Sequence, residues 1–384
     1  MQKESVTRLL LIGPTPPPYN GMSVATEMVK RALHGVIDCI HLDTADRRGL
    51  ANVGKLDFTN IFLALFHGMK FLWILLSDRP TSVYVPISQL WLPFLRDCLF
   101  LVPARLLNRN VIIHLHGSYF RRFYIQTSPI MRPIVHYALG NVMIAIVLGE
   151  NVANAFDGIL PPDRIRIIPN GVPDTLSGPA AKNAKQTNGL APVVLYLSTL
   201  AAGKGFSDIL RALPGIRDRV GSVRAVFAGE WYSRQDKDMA DELIESLGLQ
   251  AVVEFTGPVD PEQRAQLLEK ASVFVLPSRN EGQPYAILEA MAARLPIIST
   301  KIGCIPETVR DGVEGFLIEP GDIETLARKI SDLLLDPRLL QRMGEASRRR
   351  FLDCYTYERF AEKIRAVFAS PARTPCLSDS TGEL

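Results

Sequence analysis

The feature that most constrains the fold is the alternation of short β-branched runs with longer amphipathic stretches along the whole 384-residue chain. Helical patterns lie between most of these runs, so the strands can form parallel sheets with helices on both faces. The chain is therefore predicted to be an α/β protein with doubly wound, Rossmann-like domains. Strands are predicted at residues 9–12, 82–85, 111–115, 142–147, 165–168, 193–197, 224–228, 252–255, 273–276, 296–299 and 315–318.

One break in this alternation of strands and helices divides the chain into two units. Residues 173–192 are rich in Pro, Gly, Ala and Asn and have no apolar period, which is typical of a linker. Residues 1–172 and 193–352 are then two domains, followed by a C-terminal helix at 353–369 that returns to the first domain, and by a disordered tail at 370–384. Two doubly wound domains leave a cleft between them, and ligands bind beyond the carboxyl ends of the strands.

Charge and cysteine content exclude several classes of protein. The formal net charge of +3 is too small to indicate nucleic-acid binding. Residues 1–170 carry 17 Lys and Arg against 11 Asp and Glu, whereas the remainder carries 26 against 29. A basic first half can hold an anionic substrate or lie against an anionic membrane, and ordinary scatter of surface charge explains it equally well. Five scattered cysteines without CxxC spacing fit neither a disulfide framework nor a zinc site, and favour a reducing cytoplasm.

Two apolar stretches raise the question of membrane contact. Residues 61–76 are interrupted by His67, Gly68 and Lys70, and residues 90–107 are interrupted by prolines and charges. Both fall short of the ~20 apolar residues that a span needs. They are predicted to be helices packed on a sheet rather than helices on a membrane surface. The first apolar run, residues 8–12, is too short for a signal peptide.

The sharpest local pattern is SRNEGQPYAILEA at residues 278–290, directly after a predicted strand. Gly282 and Pro284 fit a loop that turns into a helix. Glu281 is then predicted in the loop at the cleft, and Glu289 about two turns into the helix on the same side. The free N–H groups of Gly282, Gln283 and Tyr285 suit a phosphate or sugar oxygen, while proline cannot donate.

This pattern resembles the E-x7-E signature of the large retaining GT-B glycosyltransferase family (group 1, family 4) of bacterial mannosyl- and glucosyltransferases and sucrose synthases. Further segments of residues 8–368 resemble that family in the same order. They are IPNGV at 168–172, FAGE at 227–230, FTGPV at 255–259, STKIGCIPE at 299–307 and DGVEGFL at 311–317. The resemblance implies two Rossmann-like domains facing a cleft, with the nucleotide-sugar on the second domain and the acceptor on the first.

The resemblance also implies roles in the second domain. Glu289 would accept hydrogen bonds from the ribose diol and Glu281 would bind donor-sugar hydroxyls near the reacting carbon; the alternative for Glu289 is a solvated helix residue. In the loop STLAAGKG at 198–205, Lys204 and Gly205 match the family's phosphate-binding loop. Thr199 stands where the family usually has an arginine, and Arg279 or a first-domain arginine would have to compensate. The plain alternative for Lys204 is an exposed lysine at a helix start.

In the first domain, the loop that ends in Asn20-Gly21 stands where the family's glycine-containing loop approaches the donor phosphate. Gly21 can bring backbone N–H groups toward that phosphate. His116, after the strand 111–115, matches the family's His-Gly pair and would contact donor sugar or acceptor hydroxyl. His114 is predicted to be a core histidine. The pairs Arg47-Arg48 and Arg121-Arg122 could meet an anionic acceptor or be solvated.

Taken together, the resemblance implies a retaining, metal-independent hexosyltransferase that uses a nucleotide-diphosphate sugar as co-substrate and needs no other cofactor. Its acceptor would be a glycan or a lipid-diphosphate-linked sugar in surface polysaccharide or glycolipid synthesis. The protein would be cytoplasmic, with peripheral contact to an anionic inner membrane face. No metal-binding pattern occurs: the chain has no HExxH, no Cys/His cluster and no strand-associated Asp-x-Asp. Two alternatives are a non-catalytic nucleotide-sugar-binding protein, which Thr199 favours, and another enzyme of this fold such as a sugar-nucleotide epimerase or a phosphorylase.

Overall fold

Two six-stranded sheets, in which all the strands pair in parallel, organise the chain in the computed structural model. The structure describes residues 8–17, 19–48, 57–175 and 191–369. Most of the predicted linker and the whole of the predicted disordered tail lie outside these described residues. The α/β class predicted from the alternation of strands and helices is confirmed.

The first sheet has the strand order β2-β1-β3-β4-β5-β6. Its strands are β1 Arg8–Ile12, β2 Asp38–Leu42, β3 Ser82–Pro86, β4 Asn110–His114, β5 Val142–Val147 and β6 Ile165–Ile167. Its helices are α1 Gly21–Leu33, α2 Phe58–Ser77, α3 Trp91–Leu106, α4 Phe120–Gln126 and α5 Met131–Leu139. Short 3-10 helices at Glu150–Phe156 and Pro162–Arg164 connect β5 to β6.

The second sheet has the strand order β12-β11-β10-β7-β8-β9. Its strands are β7 Val193–Leu197, β8 Arg224–Ala228, β9 Val253–Gly257, β10 Val273–Leu276, β11 Ile297–Thr300 and β12 Gly315–Ile318. Its helices are α6 Phe206–Val220, α7 Arg234–Ser246, α8 Pro261–Lys270, α9 Tyr285–Ala292, α10 Ile305–Thr308, α11 Ile323–Leu335 and α12 Pro337–Cys354; α13 Tyr357–Ala369 follows. A 3-10 turn, Ala202–Lys204, precedes α6.

The first sheet is covered on both faces because successive strand residues point to opposite sides. In β1, Leu10 and Ile12 join the core under α2, α3 and α5, whereas Leu9 and Leu11 join the core under α1 and α13. α13 thus packs on the first domain although it follows the second. Its Arg365 donates from Nε to the carbonyl of Ala32 at 2.8 Å, which ties it to the end of α1.

β2 was not among the predicted strands. It forms the edge of the first sheet, and its sequence DCIHL mixes polar and apolar side chains. Only Leu42 is fully buried, so the strand lacks the continuous apolar run of a central parallel strand.

The two apolar stretches of the first domain differ in their packing. α3 buries Phe94, Phe100 and Leu101 in the core, as predicted. α2 also packs on the core, through Phe71, Ile74 and Leu75, but it exposes most of its remaining apolar side chains, which the prediction did not include. The reason is that apolar residues occur on every side of this helix, whereas the sheet and α3 cover one side. Within the described part of the chain, α2 is the one helix whose length and composition would allow it to cross a membrane.

Candidate active site

A cleft of about 580 Å³ lies where the carboxyl ends of strands from both sheets face each other. Loops after β1, β3, β4 and β6 line it from the first domain, and loops after β7, β8, β9 and β10 line it from the second. The strand ends of a parallel sheet form a common edge, and this explains why residues distant in sequence meet here. The cleft holds nine of the ten predicted site residues: Gly21, His116, Thr199, Lys204, Glu281, Gly282, Gln283, Tyr285 and Glu289.

Lys204 and Glu281 meet because their loops follow adjacent strands. β7 pairs with β10, and the strand order of the second sheet changes direction between them. Crevices for ligands form at such switch points. The Nζ of Lys204 lies 2.7 Å from Oε1 of Glu281, with the two side chains 31% and 11% exposed. Lys204 also donates to the carbonyl of Asn280 at 3.2 Å, so a cation is held at the cleft wall.

Gly205 does not line the cleft, and its place explains how Lys204 is held. Its φ of 79° is in the left-handed region that favours glycine. A Cβ at this position would lie 2.1 Å from the carbonyl oxygen of Pro277, just after β10. Gly205 therefore lets the loop after β7 lie directly against the end of β10.

Glu289 is the fifth residue of α9, which is closer to the start of the helix than the predicted two turns, because α9 begins only at Tyr285. Its Oε1 accepts a hydrogen bond from Nη1 of Arg264 at 2.9 Å. Burial raises the pKa of the Glu289 carboxyl above its usual value, and the neighbouring Arg264 opposes that shift. Glu289 is not a solvated helix residue, since it lines the cleft beside a guanidinium.

Arg264 is a cleft residue that sequence reasoning missed. It lies on α8, 25 residues before Glu289 in the chain, and its Nε is buried with no hydrogen-bond partner among the described residues. Arg279, which was considered as a substitute for the arginine that Thr199 replaces, instead pairs with Asp208 at 2.9 Å and does not line the cleft. The guanidinium that the second domain presents to the cleft is therefore that of Arg264.

His116 lies at the cleft end of β4 and stacks on His114, with ring centroids 3.9 Å apart. The Tyr84 hydroxyl hydrogen-bonds to Nδ1 of His114 at 2.7 Å, and His114 is a core histidine as predicted. Burial lowers the pKa of His116 to about 4. Its Nδ1 is buried without a partner in the described part of the chain. The His116 imidazole is therefore neutral near pH 7, and it lines the cleft.

The two domains touch at the centre of the cleft. A Cβ on Gly282 would lie 2.2 Å from the carbonyl oxygen of His116, so only glycine lets these two loops approach so closely. Gly303 packs in the same way against the carbonyl of Glu281, at 2.1 Å. The loop that carries Glu281 is thus confined between the first domain and the loop after β11.

A buried polar cluster connects the end of β6 to the start of α9. The Asn170 backbone N–H donates to Oε1 of Gln283 at 2.6 Å, and the Asn170 side-chain amide donates to the Gln283 carbonyl at 2.9 Å. Gln283 donates in turn to the Thr308 hydroxyl, and the Tyr285 hydroxyl donates to Asn170. The side chains of Gln283 and Tyr285 thus connect the first domain to the start of α9.

α1 presents its N-terminus to the cleft. The helix begins at Gly21, and Asn20 caps it by accepting a hydrogen bond from the Ser23 N–H at 2.9 Å in a capping box. A Cβ on Gly21 would meet nothing within 4 Å, so no neighbouring atom requires glycine at this position. The absence of a side chain leaves open space at the start of the helix. Helix N-termini attract anions through their free N–H groups.

The arginine pairs proposed for an anionic acceptor lie outside the cleft lining. Arg48 pairs with Asp46 at 2.7 Å and Arg47 with Asp43 at 3.3 Å. Arg121 donates to the carbonyl of Asp157, and Arg122 lies over the ring of Tyr119. Among the described residues no group of three or more His, Cys, Asp or Glu side chains is placed to hold a metal ion.

Sequence comparison relates the second domain to a defined family. The model of the family described as Glycosyl transferases group 1 matches residues 179–350. An MMP alpha-(1->4)-mannosyltransferase of Mycolicibacterium hassiacum is 28% identical over 214 residues, 55% of this chain and 50% of that protein. A GDP-mannose-dependent alpha-(1-6)-phosphatidylinositol monomannoside mannosyltransferase of Mycolicibacterium smegmatis is 35% identical over 170 residues, 42% of this chain and 44% of that protein. The chain thus spans about half the length of these relatives.

Structural comparison extends over nearly the whole chain. Anabaena Alr3699/HepE, solved in complex with UDP-glucose, superposes with a TM-score of 0.74 at 18% identity and covers 94% of this chain and 99% of its own. Sucrose-phosphate synthase from Thermosynechococcus elongatus superposes with a TM-score of 0.73 at 19% identity, covering 94% and 98%. At these identities the likeness concerns the fold, and it confirms the two-domain GT-B architecture expected from the sequence.

Proposed function

We propose that the protein is a glycosyltransferase, because the model of the group 1 glycosyl transferases matches most of its second domain and the chain has the GT-B fold. It moves a hexose from a nucleotide-diphosphate sugar to a hydroxyl of a glycan or lipid-linked sugar. The observation that carries this proposal is the meeting of Lys204, Glu281, Glu289 and His116 in one cleft between the domains.

The donor occupies the second-domain side of the cleft in this proposal. Glu289 accepts hydrogen bonds from the ribose diol, and Arg264 keeps that carboxylate ionised against the effect of burial. The diphosphate lies between Lys204 and the N-terminus of α1, where an ammonium group and free backbone N–H groups converge. Glu281 binds the sugar hydroxyls. The ammonium group of Lys204 then contacts both the Glu281 carboxylate and the diphosphate.

We propose a metal-independent transfer that retains the anomeric configuration. The bond from the anomeric carbon to the phosphate oxygen breaks, and a bond to the acceptor oxygen forms on the same face. The acceptor proton passes to the departing phosphate. Lys204 stabilises the charge that develops on that phosphate, which is the largest effect available to such a site. Neutral His116 orients a hydroxyl near the reacting carbon, and Glu281, already paired with Lys204, acts as a binding group.

The names of the relatives suggest the first donors to test. The relative from M. smegmatis is GDP-mannose-dependent and acts on a phosphatidylinositol mannoside, and the HepE structure contains UDP-glucose. We therefore propose GDP-mannose and UDP-glucose as candidate donors, and surface polysaccharide or glycolipid synthesis as the setting. The proposed location is the cytoplasm, with peripheral contact to an anionic membrane surface.

A second candidate is a non-catalytic nucleotide-sugar binder. Thr199 favours it, because the side chain at this position of the cleft wall offers phosphate no positive charge. Arg264 and Lys204 favour turnover, since both present cations to the same cleft.

The test is to incubate the protein with UDP-, GDP- and ADP-hexoses and a membrane glycolipid fraction, and to measure nucleoside diphosphate release together with labelled sugar in product. The proposal predicts acceptor-dependent release with one donor series, and NMR of the product should show the donor's anomeric configuration. Binding of a donor without any transfer to a broad acceptor panel would support the non-catalytic candidate, and an inverted product would contradict retention.

A further inference from the structure

One side of α2 is an apolar row exposed along the whole helix. The helix is 20 residues long, or about 30 Å, and its exposed side chains recur every three or four residues, as one face of a helix requires. Phe58 is 93% exposed, Phe62 65% and Trp73 66%. We call this row the α2 face: Phe58, Ile61, Phe62, Leu65, Phe66, Met69, Leu72, Trp73 and Leu76. Monomeric proteins rarely leave so continuous a patch to water without a partner.

α2 packs beside α3, and α3 packs beside α5. α2 lies close enough to α3 that a Cβ on Gly68 would be 3.5 Å from Leu99. The guanidinium of Arg105 on α3 lies 4.3 Å from the ring centroid of Tyr137 on α5, which joins the next pair of helices. This layer adds further exposed apolar side chains: Leu90, Trp91, Leu106, Ile130, Ile134 and Tyr137.

The packing of α2 determines which orientation relative to a bilayer is compatible with the fold. Phe71, Ile74 and Leu75 are buried in the first-domain core, and the ring of Phe71 packs edge-on to Phe100 of α3 with centroids 5.2 Å apart. A spanning orientation would pull these side chains out of that core. An orientation parallel to the membrane leaves them in place and inserts the α2 face alone.

The net charge of this part of the first domain indicates which kind of surface α2 would bind. Residues 57–137 contain eight Lys and Arg against three Asp and no Glu, and one of the three, Asp97, is buried. Within α2 itself Lys70 is the single charged residue. An apolar row in a segment with a net positive charge complements anionic lipid headgroups over an acyl layer, whereas a second copy of this chain would bring the same positive charge.

We propose that the α2 face is the element that docks this protein on an anionic membrane, lying in the plane of the headgroups with its apolar side chains in the acyl boundary. This inference rests on the proposed peripheral location and is independent of the proposed donor chemistry. The domain would then sit on the lipid surface through α2, α3 and α5.

The first experiment measures sedimentation with vesicles of phosphatidylcholine alone and of phosphatidylcholine with 30% phosphatidylglycerol, as a chosen mixture. The variant combines Phe62→Ser, Leu65→Ser and Trp73→Ser. The control combines Leu335→Ser, Leu352→Ser and Tyr232→Ser, which are also exposed but lie in the second domain. We expect the wild type and the control to bind the anionic vesicles about tenfold more tightly than the neutral ones. We expect the α2 variant to lose roughly a hundredfold in partitioning.

A second readout is the tryptophan emission of the wild type, which should shift to shorter wavelength with anionic vesicles, and this shift should be smaller in Trp73→Phe. Equal vesicle binding by the wild type and the α2 variant would overturn the proposal, as would a wild type that binds neither vesicle. Light scattering that shows a wild-type dimer, a monomeric α2 variant and no vesicle binding would overturn it in favour of a second copy. Calorimetry of the donor with the α2 variant separates the two proposals, because donor binding should be unchanged.

Discussion

At the scale of single residues, the ion pair of Lys204 and Glu281 connects the loops after two adjacent strands and places a cation where the donor phosphate is proposed to bind. The effect of this ion pair on the free energy of unfolding differs from its proposed effect on the reaction rate. The pair is partly buried, with Lys204 31% and Glu281 11% exposed, so removing one partner leaves the other in part desolvated and lowers stability moderately. A positive charge aimed at a leaving phosphate acts mainly in the transition state.

Lys204→Ala and Glu281→Gln should each lower kcat by about 10²–10³-fold or more. The free energy of unfolding should fall by about 1–3 kcal/mol, because the remaining partner is partly buried. Lys237→Ala is the matched control, because Lys237 forms a 2.7 Å ion pair with Asp241 on the exposed surface of α7. Steady-state kinetics and chemical denaturation measure both effects. Wild-type kcat in either cleft variant would remove that residue from the proposed mechanism.

His116 should make the fold sensitive to acid. Burial lowers its pKa to about 4, so below pH ~6.5 the unfolded chain binds a proton that the folded one does not. The free energy of unfolding should therefore fall between pH ~6.5 and pH ~4, by as much as about 3 kcal/mol from this residue.

His116→Asn should show a smaller loss of stability than the wild type between pH 7 and pH 4.5, since it removes one group that must take up a proton on unfolding. Denaturant titrations at several pH values in that range measure the slope. His34→Asn, an exposed position after α1, is the control and should follow the wild type. Parallel curves for the wild type and His116→Asn would show that His116 is not held neutral by burial.

At the scale of elements, the cleft depends on two loops that touch: the loop after β4 and the loop that enters α9. Gly282→Ala places a Cβ 2.2 Å from the His116 carbonyl oxygen, so these loops must separate. We expect a drop in kcat/KM of at least about tenfold, because small misplacements of reacting groups are costly.

The matched control for Gly282→Ala is Gly203→Ala. Gly203 precedes Lys204 in the loop after β7, and a Cβ there would meet nothing within 4 Å. Its kinetics should stay close to those of the wild type. Comparable losses in both glycine variants would mean that the loop contact is not what matters.

The elements also show what sequence could and could not predict. The parallel strands could be predicted from short apolar runs. The place of Glu281 in the cleft could be predicted because it follows such a run directly. β2 was missed because an edge strand need not be apolar throughout. The exposure of α2 was missed because its apolar residues surround the helix, and periodicity does not tell which side the protein covers.

Contacts between distant segments were the least predictable part of the site. Arg264 on α8 reaches Glu289 on α9 at the wall of the cleft, and nothing in the sequence near either residue indicates the pair. Asn170 and Gln283 are 113 positions apart, and each alone is typical of a loop. The local motifs predicted which residues line the cleft, whereas the tertiary structure determines how they are held.

At the scale of the whole molecule, the domains are joined by contacts that close the cleft. The Glu307 carboxylate, on α10 of the second domain, accepts backbone hydrogen bonds from Glu150 and Asn151 of the first at 2.8 and 2.6 Å. Cys304 packs into the first-domain core cluster nearby. A carboxylate on two backbone N–H groups is a strong, charge-assisted contact.

Glu307→Ala should favour an open arrangement of the domains, since a charge-assisted hydrogen bond contributes about 1.5–3 kcal/mol. We expect a larger radius of gyration by small-angle X-ray scattering without donor, and a partial return on adding donor. Glu319→Ala is the control, because Glu319 is exposed and pairs with Lys301 within the second domain. An unchanged radius in Glu307→Ala would show that other contacts set the closure.

The central claim is that the cleft binds a nucleotide-diphosphate sugar through Glu289 and Lys204. Isothermal titration calorimetry with UDP-, GDP- and ADP-hexoses, on the wild type, Glu289→Gln and Lys204→Ala, tests it most directly. We predict saturable binding of one nucleotide series by the wild type and about tenfold or greater weakening in both variants. Wild-type affinity in both variants, or no binding of any donor by the wild type in the presence of acceptor, would contradict it.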